Sequence, residues 1–203
     1  MQQAKQRSNR ERTETTRHAL LSAARGLFVV KGYAETSTPE IVALAGTTRG
    51  ALYHHFADKR ALFRALLEQE ARAVAEAIEA QASSGRSAVE ALTTGSTAYL
   101  DAMTVAGRTR LLLVEGPAVL GSAEMTALDE ANAGRTLRDG LAAAMSDQAK
   151  AAVPLSALAV LLSAAFDRAA LAIDAGADPV AFRAAVTGLI ARVVGAGGGR
   201  GRD

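Results

Sequence analysis

Residues 37–56 read STPEIVALAGTTRGALYHHF and bring serine, threonine, arginine, tyrosine and two of the chain's three histidines into one stretch. Thr48, Arg49, Gly50 and Ala51 open its second half. An arginine can donate two hydrogen bonds to a guanine edge, and a threonine can bond a base or a phosphate. Glycine and alanine let a helix sit close to a groove. Tyr53, His54 and His55 follow, and Lys59 comes just after. These are partners for phosphate and sugar oxygens. Ser37 and Thr38 stand at the start of the stretch, where free N–H groups at a helix N-terminus also favour phosphate.

Two short helices and a tight turn must position these groups. Ser37-Thr38-Pro39-Glu40 is a capping-box pattern with proline in the first turn, so a helix is expected from about Ser37 to Ala45. Gly46 permits the positive φ of a turn built on Ala45-Gly46-Thr47. Thr48 is a good N-cap for a second helix reaching about Phe56. Ile41, Ala45, Leu52 and Phe56 would lock the two together. This is a helix-turn-helix, whose second helix enters the major groove with its N-terminal residues on base edges.

The whole chain reads as all-α. Polar residues 1–12 form an expected flexible arm. A first helix is expected from Thr13 to Lys31, with Leu20, Leu21, Ala24, Leu27 and Phe28 as its apolar stripe and Gly32 as its stop. Asp58 caps a long fourth helix reaching about residue 83, where Ser-Ser-Gly breaks it. The helix-turn-helix domain is thus 13–66, followed by a helical body over 67–194. In that body, helices are expected over 87–105, 108–114 (ended by Gly116-Pro117), 122–145 (bent near Gly134), 154–175 and 178–194. The glycine-rich tail 195–203 is expected to be disordered.

Composition narrows the function. The chain has 203 residues and no Cys, which excludes thiol catalysis, thiolate metal sites and disulfides. Its three histidines, 18, 54 and 55, all lie in the N-terminal third. HExxH, P-loop, GxGxxG and nucleophile-elbow patterns are absent, so no cofactor, metal or enzyme activity is expected. The polar N-terminus lacks the apolar core of a secretory signal. The most apolar stretch, 151–173, is interrupted by Asp167 and Arg168 and reads as a buried helix, not a membrane span. A cytoplasmic protein is the default.

The formal charge of +2 hides a partition. Residues 1–64 carry 11 basic and 5 acidic side chains, a net +6, which leaves −4 on the remainder. A basic head suits a polyanion and an acidic body suits something else.

The stretch from about Arg17 to Leu67 resembles the DNA-binding domain of tetracycline-repressor-type (TetR/AcrR) transcriptional regulators. The resemblance rests on LLSAARGLFVVKGY (20–33), the TS…I…AG run (36–46), TRGALYHHF (48–56) and DKRALFRALLE (58–68). It implies a homodimer that binds a palindromic operator in double-stranded DNA and usually represses. Thr48, Arg49, Gly50 and Ala51 would face bases. Tyr53 and His55 would contact phosphate or sugar, with His54 near the same surface, and Lys59 would pair with a phosphate. Thr47 and Thr38 stand where the family commonly has an apolar residue, often valine. Read from residues alone, Arg49 can touch phosphate only, Tyr53 can be a half-buried core aromatic, and His54 can be a solvated surface residue. Arg7, Arg10 and Arg12 can form a minor-groove arm or none.

The resemblance also implies a C-terminal helical bundle that dimerises and binds an unknown small molecule. The dimer face would use Leu161, Ala165, Ala169 and Ile173 on one helix, with Phe182, Val186, Leu189 and Val193 on the next. Tyr99, Met103, Leu112, Met125, Leu137 and Phe166 are candidate pocket walls, with Glu115 and Asp167 as polar contacts. Two rival readings are a nonspecific nucleoid or architectural DNA-binding protein and, remotely, a helical enzyme.

Overall fold

The computed structural model describes residues 2–83 and 87–195, with side chains from residue 11 onward. Among the described residues all regular structure is helical, without a strand, as the composition and periodicity indicate. Three helices form the head: α1 (Gln2–Glu35), α2 (Thr38–Leu44) and α3 (Arg49–His55). The long α4 (Lys59–Ala82) leaves the head and runs into the body. The body holds α5 (Ala88–Met103), α6 (Arg108–Arg110), a π turn (Leu111–Glu115), α7 (Gly116–Leu120), α8 (Ser122–Ala131), α9 (Ala133–Ala144), α10 (Asp147–Ala152), α11 (Leu155–Asp174) and α12 (Pro179–Gly195).

Local chemistry explains several of the starts. Ser37 and Glu40 form the reciprocal capping box of α2. Thr48 accepts from the Ala51 amide and Asp58 from the Ala61 amide, which caps α3 and α4. Asp178 does the same for α12 through Val180 and Ala181. Burial then fixes the packing. Leu20, Leu21, Ala24 and Phe28 of α1 meet Ile41, Leu52, Phe56 and Phe63 in one continuous core. Phe28 and Phe63 cross edge to face, 5.1 Å between centroids.

Four features depart from the sequence reading. Residues 2–12, expected as a flexible arm, continue α1 as helical backbone, because Gln, Lys, Arg and Glu are strong helix formers. Gly116-Pro117 does not break its helix. Pro117 lies in the first turn of α7, where a missing N–H costs least, and the preceding π turn widens the helix by one residue to admit the ring. The bend expected near Gly134 lies close by at Asn132, whose φ of −126° and ψ of −107° separate α8 from α9, but the sequence reading holds no helix where α10 forms. Helix α11 is not wholly buried: Val160 and Leu161 are 60% and 69% exposed. By length and composition α11 could cross a membrane, but the interruption of its exposed face by Arg168 and its packing on α5 and α9 suit a bundle helix. Of the expected break at 83–85, Ser83 ends α4 and residues 84 and 85 lie outside the described residues; of the tail 195–203, Gly195 still belongs to α12 and residues 196–203 lie outside them.

Candidate nucleic-acid interface and body cavity

The Ala45-Gly46-Thr47 turn sets the angle between α2 and α3. Gly46 has φ of 62°, which a side chain would strain, and the amides of Gly46 and Thr47 donate back to Ala43 and Val42. Buried Ile41 and Leu52 hold the pair against α1, so the opposite face of α3 stays free. That face presents Thr48, Arg49 and Gly50, all exposed, with Ala51 half-buried beside them. Tyr53 is 43% exposed on the same face.

These groups are linked. The Arg49 guanidinium lies 5.6 Å from the Tyr53 ring centroid. The Tyr53 phenol is held below its ordinary pKa by hydrogen bonding to the Thr38 side chain and to Arg49. Half-buried Thr38 of α2 and exposed Tyr53 and Arg49 of α3 therefore lie together as one polar surface across the turn. His54 and His55 stack edge to face at 5.4 Å. Burial, then neighbouring His54 and Arg17, lower the His55 pKa and so disfavour its charged form. Arg17, which sequence reasoning missed as a site residue, sits 5.5 Å from the Phe56 ring and adds a positive charge at this edge. The Thr47 side chain is half-buried in the turn.

Two expected phosphate contacts already have partners. The Ser37 hydroxyl donates to Glu40 at 2.7 Å. Lys59 Nζ donates to the Tyr33 and Thr36 carbonyls at 2.8 and 2.9 Å and lies 4.2 Å from the Tyr33 ring. Lys59 ties the end of α1 to the start of α4, with one N–H left for another acceptor. The head's charge is likewise divided. Arg60 and Arg64 pair with Glu124, and Arg25 pairs with Glu70, so three of the eleven basic residues face the body.

Two adjoining cavities occupy the body and share Tyr99, Ala133 and Ser163. One, of about 230 Å³, is lined by Leu137 and Phe166 among others. The larger, of about 430 Å³, is lined by Met103, Leu112, Met125 and Asp167 among others. Seven of the eight expected ligand contacts line one or both. Glu115 does not. Its carboxylate accepts from the Tyr33 amide at 2.9 Å and pairs with Arg110 at 2.8 Å, so it joins body to head. Sequence reasoning missed Asp129 and Ser163, which hydrogen-bond each other at 3.0 Å on the cavity wall. Asp129 sits in an acidic helix whose pattern suggests a solvated face, so no local signal marks it.

The expected dimer face is only partly exposed. Leu161, Ala165 and Leu189 are open to solvent, whereas Ile173, Phe182 and Val193 are half-buried. Ala169 and Val186 are buried in the chain's own core, at 4% and 5% exposure. Residues four apart turn about 400° around a helix, so a row 161-165-169-173 drifts by about 40° per step and rotates inward. The exposed apolar face runs instead through 157, 161, 164 and 165 on α11 and 181, 184, 185 and 189 on α12, beside Val160 and Val180.

A helix-turn-helix head fused by one long helix to a cavity-bearing helical body defines a class of protein, the one-chain DNA-binding regulators. Likeness to known proteins specifies the family. Residues 20–66 match the model of bacterial regulatory proteins of the tetR family, and residues 89–196 match the tetracyclin repressor-like C-terminal domain. The chain belongs to the TetR family. It is 42% identical over 62 residues to the HTH-type transcriptional regulator TtgR of Pseudomonas putida, a match covering 30% of each chain. The match thus spans about 30% of the length of that curated relative. A TetR-family regulator from Pectobacterium atrosepticum is 29% identical, with TM-score 0.68, covering 95% of this chain and 99% of that one. LfrR of Mycobacterium smegmatis, solved with proflavine, is 21% identical, with TM-score 0.61, covering 89% and 94%. The family and these relatives are regulators, not enzymes.

Proposed function

We propose that this chain is a cytoplasmic, ligand-responsive transcriptional repressor that binds a palindromic operator as a dimer. The observation that carries the reading is the exposed N-terminal end of α3, where Arg49 and Tyr53 are held with Thr38 as one polar surface over a fixed turn. Arg49 reads a base edge, while Tyr53, His55 and Arg17 grip the backbone. Two copies joined through α11 and α12 would set the heads at successive major grooves, about 34–36 Å apart. A small molecule in the body cavities favours a different head spacing and thereby lowers operator affinity. That LfrR holds proflavine within the same fold supports a ligand-binding body.

Selection of binding sites from randomised duplex DNA by the full chain tests the proposal. The expected result is a two-fold-symmetric sequence preferred by about 10³-fold or more over scrambled duplex at moderate salt. Uniform affinity across sequences would instead establish a nonspecific architectural protein.

A further inference from the structure

The larger body cavity has a charge character that its apolar walls do not suggest. Met103, Leu112 and Met125 supply much of its surface. Asp129 and Glu130 of α8 and Asp167 of α11 also line it. None of its lining residues is Lys, Arg or His. The partners of the two aspartates are neutral: Tyr99 donates to Asp167 at 2.5 Å, Ser163 donates to Asp129 at 3.0 Å, and the Gly134 amide also bonds Asp129. The charges acting on them are other acids. Asp129 acts on Asp167 and Glu130 acts on Asp129. Elsewhere the body pairs its inward carboxylate, since Glu70 is held between Arg25 and Arg108. The cavity aspartates lack that compensation.

A carboxylate in an apolar cavity is costly unless a counter-charge meets it. Tyr99 and Ser163 fix the orientation of these two without neutralising them, which leaves that place to a ligand. The volume of about 430 Å³ admits a molecule with one aromatic ring and a compact substituted head group.

We infer that the effector is an apolar organic cation, such as a quaternary ammonium or a protonated lipophilic amine, whose charge is met by Asp167 and Asp129 within this cavity. The inference rests on the reading of the body as a ligand-binding domain and names the chemical class of that ligand.

Isothermal titration of the full chain with three probes of similar size tests it: benzyltrimethylammonium, the neutral alcohol 2-methyl-1-phenyl-2-propanol and phenylmethanesulfonate. The cation should bind at least tenfold more tightly than either other probe. Asp167→Asn and Asp129→Asn should each weaken the cation at least tenfold and leave the alcohol within threefold. Circular dichroism and the thermal midpoint establish that each variant is folded. If one variant does not fold, the other carries the test. Equal or tighter binding of the alcohol or the sulfonate would overturn the cation assignment while leaving a ligand-binding body intact. Cation affinity unchanged in both variants would overturn the roles of the aspartates. Failure of all three probes to bind would overturn the inference and count against the ligand-responsive reading. Selection of a palindromic DNA site tests the DNA-binding half separately.

Discussion

The Tyr33 amide, in the head, donates to Glu115 Oε2, in the body, at 2.9 Å across 82 residues of chain. Glu115 ends the π turn whose Leu112 and Leu113 line the larger cavity, with Pro117 just beyond. Gly32, beside Tyr33, has φ of 84°. A β-carbon there would lie 2.9 Å from Arg110 and 3.0 Å from Glu115. The backbone of the head therefore rests directly on the side chains of the π turn. Tyr33 in turn carries Lys59 at the start of α4. A shift of the cavity wall has a short route to the helices that hold α3.

Glu115→Ala removes the acceptor of a half-buried amide and the partner of Arg110. We expect a loss of about 1–2 kcal/mol in stability. The denaturant midpoint measures it. Amide exchange at Tyr33 should accelerate by about tenfold while α5 exchange follows only the global change.

Glu70 is 4% exposed and lies between Arg25 at 2.8 Å and Arg108 at 2.7 Å. Burial alone would raise its pKa, but the two guanidinium hydrogen bonds win and hold it below the ordinary value. Its contribution is therefore present at neutral pH and lost on acidification. Glu70→Ala leaves both guanidiniums without their counter-charge, with the Ala106 and Ala102 carbonyls still accepting from them, and should cost about 2–4 kcal/mol, reduced from a fully buried case because Arg25 is partly solvated. Urea unfolding at pH 7 gives the value. A loss under about 0.5 kcal/mol would show that the triad does not stabilise the joint.

Asp167 behaves oppositely. Burial, reinforced by Asp129, raises its pKa from 3.8 to about 6 against the lowering effect of the Tyr99 hydrogen bond. A raised carboxylate favours the folded state below its unfolded pKa, and that contribution is lost as pH rises through about 6. Asp167→Asn should therefore be more stable than wild type at about pH 7.5, by about 1–3 kcal/mol, and nearly equal to it only at about pH 3.5 or below, under the unfolded pKa of 3.8. Paired unfolding curves at the two pH values check both sign and window.

Arg49→Ala should cost about 10- to 100-fold in affinity for the selected DNA site and less than about threefold on scrambled duplex. Fluorescence anisotropy on the two duplexes separates the cases. Equal losses on both would make Arg49 a phosphate contact.

The sequence exposes what short-range chemistry decides. Ser37, Thr48, Asp58 and Asp178 mark helix starts because a capping side chain acts within three residues of its own position. Ile41 and Leu52 mark the locked faces of α2 and α3 because helical periodicity is local. Lys59 and Glu115 are different. Their residue types suit phosphate and ligand, but their partners lie 26 and 82 residues away and only the fold selects them. Gly116-Pro117 reads as a stop because a π turn leaves no local signature. A fixed spacing of four misplaces the α11 face, because the drift of the helix carries Ala169 into the core.

The most direct test uses one duplex carrying the selected palindrome and a second in which one half-site is scrambled, titrated with the full chain at the same salt. A dimer with two base-reading heads should bind the intact palindrome at least about 100-fold more tightly. A difference of less than about threefold would contradict paired, sequence-specific recognition by the α3 surfaces.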